Sequence, residues 1–250
     1  MAKPYVIAHR GDSGNYPENT LLAFRHAITE GTDWIELDVI ATQDDVVIVS
    51  HDTLVDRCTD GTGRIADMTL MEVKQLDAGI RLDEKFAGER LPTLHEALDT
   101  IGDKARVCIE VKGDTTDDFI RNARLSVDVL QRRGSLRHVV ISSFNTECLR
   151  AIKTWEPLIA TALDPDRQDG TYSAWQLCEK VLACGANFLM HRHETLTSEI
   201  VDECHQHGFS LWTWTVNQKD DMHRVLKLGV DAIMTDYPRL LRQVVDESTH

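Results

Sequence analysis

Trp34-Ile35-Glu36-Leu37-Asp38-Val39-Ile40-Ala41 reads as a strand with two unlike faces. Side chains alternate along a strand, so Ile35, Leu37 and Val39 share one face while Glu36 and Asp38 share the other. Further along, Arg106-Val107-Cys108-Ile109-Glu110-Val111-Lys112 repeats the pattern, with Glu110 and Lys112 opposite Val107, Ile109 and Val111. The apolar sets belong against covering helices. Glu36, Asp38, Glu110 and Lys112 then point the other way, into the centre of a closed sheet near the strands' carboxyl ends.

Working outward, strand and helix patterns alternate along the chain, which argues for a parallel sheet. A strand at Tyr5–His9 precedes a helix at about Asn19–Glu30, which Asn19 or Thr20 can cap. Strand Trp34–Ala41 continues through a short hairpin into Val46–Ser50. After Arg106–Lys112, further strands are expected at Val139–Ser142, Leu158–Ala162, Asn187–Met190, Ser210–Thr215 and Asp231–Thr235. Helices separate them at Asp117–Arg133, Thr146–Lys153, Tyr172–Cys184, Thr197–His207 and Lys219–Leu228, and Pro238–Val245 closes the chain. The fold class is therefore α/β, a (β/α)8 TIM barrel, for which 250 residues is a typical length. The stretch from about 53 to 90 differs in texture: it is rich in Asp, Gly and Thr, with a short helical pattern near Met71–Leu76. It reads as a small insertion after the second strand, on the rim of a single domain spanning 1–250.

Composition narrows the function. With 41 acidic against 27 basic side chains the net charge is −14, a poor footprint for nucleic acid or for stable association with an anionic membrane. No apolar run approaches the ~18 residues of a membrane span. Met1-Ala2-Lys3-Pro4 runs straight into the first strand, without the pattern of a signal peptide. The six cysteines, none in a CxxC pair, fit buried free thiols in a reducing compartment, and the cytoplasm is the expected location.

Chemistry gathers at strand ends. His9 and Arg10 follow the first strand, offering a proton-transfer group beside a fixed cation, which suits an anionic substrate such as a phosphate ester. His51 ends Val46-Val47-Ile48-Val49-Ser50 and supplies a second histidine, so that one can act as general base and the other as general acid. Three inward carboxylates are costly unpaired. A hard divalent cation, Mg2+ or Ca2+, would neutralise them, and so would a buried ion-pair network with Arg10 and Lys112. Trp214 can wall the carbon skeleton of a polyol or simply pack, and Trp212 belongs to the core. His191 and His193, and His205 and His207, read as rim or surface residues.

Taken together these stretches resemble the glycerophosphodiester phosphodiesterase family. The resemblance runs through His9-Arg10-Gly11, Pro17-Glu18-Asn19-Thr20, Glu36-Leu37-Asp38-Val39, His51-Asp52 and Thr59–Gly63. It continues through Leu91-Pro92-Thr93-Leu94, Glu110-Val111-Lys112, Ser143-Phe144, Trp214-Thr215-Val216-Asn217 and Thr235-Asp236-Tyr237-Pro238. It implies metal ligands at Glu36, Asp38 and Glu110, a catalytic pair at His9 and His51, phosphate contacts from Arg10 and Lys112, and packing of Trp214 on glycerol. The implied reaction is metal-dependent hydrolysis of a small-molecule glycerophosphodiester, such as glycerophosphocholine or glycerophosphoethanolamine, to sn-glycerol 3-phosphate and an alcohol.

Rival readings are a lysophospholipase D or phosphoinositide-type phosphodiesterase, a glycosidase built on paired carboxylates, and a non-catalytic phosphate-ester binding module. The first would favour an apolar apron at the barrel mouth, whereas the insertion carries only scattered apolar residues. A glycosidase gives His9, His51 and Arg10 no task. The sequence leaves open the head group, the choice of metal, the nucleophile, which histidine is acid, and whether the protein is a monomer or homo-oligomer.

Overall fold

Period-two alternation in eight strands separates the protein into an inner and an outer apolar layer. The computed structural model describes residues 3–165 and 172–248; Met1 and Ala2 lie outside the described residues. The strands are β1 Tyr5–His9, β2 Trp34–Ala41, β3 Val47–Val49, β4 Arg106–Val111, β5 Val139–Ser143, β6 Ala160–Leu163, β7 Phe188–Arg192, β8 Ser210–Trp214 and β9 Ala232–Thr235. Among the described residues, all but β3 are parallel, and β1 pairs with both β9 and β2, which closes the sheet into the expected (β/α)8 barrel.

The helices are α1 Leu21–Thr29, α2 Leu70–Val73, α3 Leu94–Ile101, α4 Thr116–Arg133, α5 Thr146–Trp155, α6 Ala174–Cys184, α7 Ser198–Gln206, α8 Lys219–Leu228 and α9 Pro238–Glu247. Ile35, Leu37, Val39, Val107, Ile109 and Val111 pack outward into one cluster with residues of these helices. The opposite parity, with Trp34 and Cys108, forms a second cluster inside the barrel, where Trp212 lies between Trp34 (5.1 Å) and Phe188 (4.9 Å). Each fully buried Leu, Ile or Val contributes about 1.5–3 kcal/mol by leaving water.

Several expected boundaries shift by a residue or two, and two of the shifts have a visible cause. The strand expected at Leu158–Ala162 is β6, Ala160–Leu163, and Leu158 is 89% exposed. Glu156 ends α5 and its carbonyl accepts from Ile159 N–H (3.1 Å), so a turn occupies the expected strand start. The helical turn expected near Met71–Leu76 begins earlier, at Leu70, because Thr69 and Glu72 form a capping box there.

β3 returns antiparallel on β2. Beyond it, Val55, Ile65, Val73, Ala78 and Leu91 bury against Ile40 and Ile48 in a third apolar cluster. This cluster holds the 53–90 segment beside the carboxyl end of the barrel.

Candidate active site

Parallel pairing fixes which inward residues meet. Asp38 stands opposite Glu110 in the β2–β4 register, and His9 opposite Glu36 in the β1–β2 register. Glu36, Asp38 and Glu110 thereby bring carboxylate oxygens within 4.8 Å of one another. The Asp38 side chain is fully buried and lies 3.3 Å from the Arg10 guanidinium and 3.1 Å from Lys112 Nζ, and Lys112 also pairs with Glu110. Burial alone would raise the Asp38 carboxyl; the Lys112 and Arg10 cations overcome it and hold the group far below the usual range. Burial pushes Glu36 the other way, and the negative charges of Asp38 and Glu110 add to it.

Ion pairing does not account for the whole cluster. Three carboxylates face two cations, and Glu36 has no ion-pair partner among the described residues. Its Oε2 accepts the Arg10 backbone N–H (3.0 Å), while Oε1 is buried with no hydrogen-bond partner. An orphaned, buried carboxyl oxygen beside two further carboxylates fits a hard divalent cation with oxygen ligands. Glu36, Asp38 and Glu110 are the residues that would hold it.

Arg10 reaches this position at a cost. Its backbone adopts φ +56°, a conformation that disfavours a side chain by about 1–3 kcal/mol. Its N–H is tied to Glu36, and its carbonyl accepts from Asn19 N–H (3.0 Å). The following Gly11 has φ +86°, and a Cβ there would stand 2.8 Å from the Ala23 backbone, so only glycine fits the turn. Asn19, itself at φ +59°, donates through Nδ2 to Asp38 Oδ2 (2.9 Å). Thr20 is the residue that caps α1, accepting from Ala23 N–H. Asn19 therefore orients a carboxylate and leaves capping to its neighbour.

Both histidines are held by a carboxylate. His9 Nδ1–H donates to Asp236 Oδ1 (2.6 Å), and Asp236 also accepts from Ser13 (3.0 Å) and Asn217 (2.6 Å). His51 Nδ1–H donates to Asp52 Oδ1 (2.6 Å). Each ring thus keeps Nε2 for proton transfer. Burial lowers the His51 pKa; the Lys112 and Arg10 charges lower it further, while Asp38 and the bond to Asp52 oppose the shift.

His9, Arg10, His51, Glu110, Lys112 and Trp214 line one cleft of about 120 Å³. Glu36 and Asp38 sit beside Glu110, so all eight site residues expected from the sequence lie at this end of the barrel. Phe144, Asp164, Met190, Thr215 and Met234 complete the wall, and Phe144 meets Trp214 edge-to-face at 6.2 Å. The other histidine pairs lie elsewhere: His193 contacts Arg224 (3.0 Å) and His205 contacts Asp231 (3.0 Å). Among the described residues the three acids are the only group with metal-ligand spacing.

The sequence assigns no task to several residues at this end of the barrel. Asp52, Asp236, Asn217, Glu18 and Phe144 lie inside the stretches that carry the resemblance, and Asp164 and Arg57 lie outside them. Asp164 and Asp236 directly follow β6 and β9, so a search for polar residues at strand carboxyl ends would have found both. Arg57 gives no such signal.

Known proteins resemble this chain along nearly its whole length. The profile of the glycerophosphoryl diester phosphodiesterase family matches residues 9–240. A glycerophosphodiester phosphodiesterase of Caldanaerobacter subterraneus is 42% identical over 245 residues, covering 97% of this chain and 98% of the relative. Another, from Bacillus subtilis, is 34% identical and covers 96% of this chain and 85% of its own. Among solved structures, an Oleispira antarctica phosphodiesterase in complex with the product sn-glycerol-3-phosphate aligns at TM-score 0.88 with 31% identity, over 97% of each chain.

Proposed function

The chain belongs to the glycerophosphoryl diester phosphodiesterase family, and on that premise we propose that it hydrolyses soluble glycerophosphodiesters to sn-glycerol 3-phosphate and an alcohol. One observation carries the reading: two carboxylate-tethered histidines, two part-buried cations and Glu110 line one cleft, with Glu36 and Asp38 clustered beside Glu110.

Arg10 and Lys112 bind the phosphodiester and offset the charge that grows on its oxygens in the transition state. One histidine Nε2 takes the proton of the attacking hydroxyl while the other gives a proton to the departing alcohol oxygen. Asp236 and Asp52 hold the two rings in the required tautomer. Trp214 and Phe144 wall the glycerol carbons and limit water at the reacting phosphorus. Mg2+ or Ca2+, when held by Glu36, Asp38 and Glu110, supplies Lewis-acid polarisation of a phosphoryl oxygen. The attacking hydroxyl belongs either to water or to the substrate's own 2-position. By the second route water must then open a cyclic phosphate to give glycerol 3-phosphate, so both routes place one solvent oxygen on phosphorus. A search for the cyclic phosphate in a single turnover separates them.

We take residues 1–250 as a single catalytic domain with 53–90 as its rim insertion, working in the cytoplasm without stable membrane association. The net charge of −14 supports the last point, and no helix of the described residues is long and apolar enough to cross a membrane. A lysophospholipid substrate is the second reading, favoured by the exposed side chains of Leu54, Ile80 and Leu82 on the 53–90 segment.

The deciding assay follows glycerol 3-phosphate release from glycerophosphocholine and glycerophosphoethanolamine, using EDTA-stripped protein with and without Mg2+ or Ca2+. Turnover restored by one metal is the expected result. Intact diesters together with cleaved lysophosphatidylcholine would move the assignment to the lysolipid. No cleavage of any of the three would leave a binding module.

A further inference from the structure

We propose that Arg57, from the segment outside the barrel, is a positioning residue that sets His51 and Arg10 together. The proposal rests on the phosphodiesterase reading for its kinetic consequence, while its structural consequence stands apart from it. Arg57 does not line the cleft. With Glu18 it borders a neighbouring hollow of about 160 Å³.

All three guanidinium nitrogens are committed. Nη1 donates to Glu18 Oε2 (2.8 Å), Nη2 donates to Glu18 Oε1 (2.6 Å), and Nε donates to Asp52 Oδ2. Each of these carboxylates also reaches a cleft residue. Glu18 Oε1 also accepts from Arg10 Nη1 (3.0 Å), and Asp52 Oδ1 accepts from His51 Nδ1 (2.6 Å). One planar fork therefore joins the proton-transfer group that follows β3 to the phosphate-facing cation that follows β1.

The chemistry requires arginine. Glu18 and Asp52 are like charges brought to one cation, and removing it leaves two neighbouring carboxylates repelling each other. Asp52 then turns from His51, and Glu18 turns from Arg10. A lysine supplies a point charge and cannot span two carboxylates with a fixed fork.

Arg57 is not what holds its own segment. Val55, Ile65, Val73, Ala78 and Leu91 bury against Ile40 and Ile48, and Arg64 pairs with Asp114 at 2.7 Å. The Arg57 side chain is 49% exposed, so its contribution to global stability is small. Loss of Arg57 should disturb the cleft and leave the fold intact.

The test uses the full chain with its metal and compares wild type, Arg57→Ala and Arg57→Lys on glycerophosphocholine. We expect kcat for Arg57→Ala to fall about 10- to 100-fold, as for other outer partners of site residues. The thermal midpoint should stay near wild type, and added guanidinium should restore part of the lost kcat. Arg57→Lys should remain impaired. Turnover of Arg57→Ala within twofold of wild type would overturn the proposal. So would a loss that follows a lowered thermal midpoint and resists guanidinium.

A second readout needs no substrate. The imidazole 15N resonances of His51, assigned with His51→Gln, should move in Arg57→Ala, while those of the distant His205 stay fixed. Unmoved His51 resonances would reject the coupling whatever the substrate is. An inactive wild type whose His51 signals do move in Arg57→Ala would fault the functional reading alone.

Discussion

The two ends of the barrel interior are built from the same strands and hold opposite chemistry. At the amino end Trp34 of β2 packs against Trp212 of β8, with Phe188 closing the contact. Two residues further on, β2 carries Glu36 and then Asp38, while β8 carries Trp214 on the cleft wall. Trp34 and Trp212 at one end and Glu36 and Asp38 at the other are all buried. The amino end is satisfied by contact, because aromatic rings need only close neighbours. The carboxyl end remains incomplete, with an orphaned Glu36 oxygen and a backbone at Arg10 in a disfavoured conformation. Stability concentrates where strands begin, and chemistry concentrates where they end.

This contrast breaks most visibly at the histidines. His9→Ala or His51→Ala should cut kcat by about 10²–10⁴-fold, with little change in the unfolding midpoint. Near wild-type turnover in both variants would dismiss the acid–base pair. Trp212→Ala at the opposite end should do the reverse, costing about 3–5 kcal/mol in denaturant unfolding while the folded fraction keeps its turnover. A large loss of kcat per folded molecule there would mean that the two ends are not separable.

The metal cluster sharpens the comparison further. Mg2+ or Ca2+ at about a hundredfold excess over its Kd should raise the stability of the stripped protein by about 2.7 kcal/mol. Glu36→Gln should abolish that gain, as read by thermal unfolding with and without the ion. In the stripped protein the raised Glu36 carboxyl contributes full stability only below its ordinary value of 4.5, and loses it as pH rises through the folded value. Asp38, depressed, acts oppositely: its contribution is present above 3.8 and is lost as pH falls below it. Bound cation should flatten the Glu36 part of that profile.

Smaller effects are expected at the wall and at the proton-transfer group. Trp214→Ala should raise KM about tenfold, matching the ~1.4 kcal/mol of an aromatic contact, with kcat less affected. An NMR titration of His51 should give a midpoint below 6.5, because burial and the Lys112 and Arg10 charges disfavour its cation. A midpoint above 6.5 would mean that Asp38 and Asp52 dominate its surroundings.

The barrel and the gathering of the expected residues at one end of it were legible because both follow from local period. A strand alternates side chains whatever its neighbours are, so Glu36, Asp38, Glu110 and Lys112 announced a shared inward direction. Strand ends carrying His9 and His51 announced a shared edge. The turn that delays β6 to Ala160 was not legible, because it depends on how α5 ends at Glu156. Asn19 shows the same limit: its sequence position fits a helix cap, yet its side chain serves Asp38, nineteen residues away.

The sequence by itself determined the alternation of elements, the sign of the interior at each strand end, and the residue types available there. Tertiary structure alone decided the pairings among them. His9 meets Asp236 across 227 positions because β1 closes the barrel onto β9. Arg57 spans Glu18 and Asp52 because a packed segment outside the barrel carries it there. Backbone periodicity is a property of neighbours in the chain. A hydrogen bond between distant side chains depends on closure, register and packing, which are fixed only when the whole sheet forms.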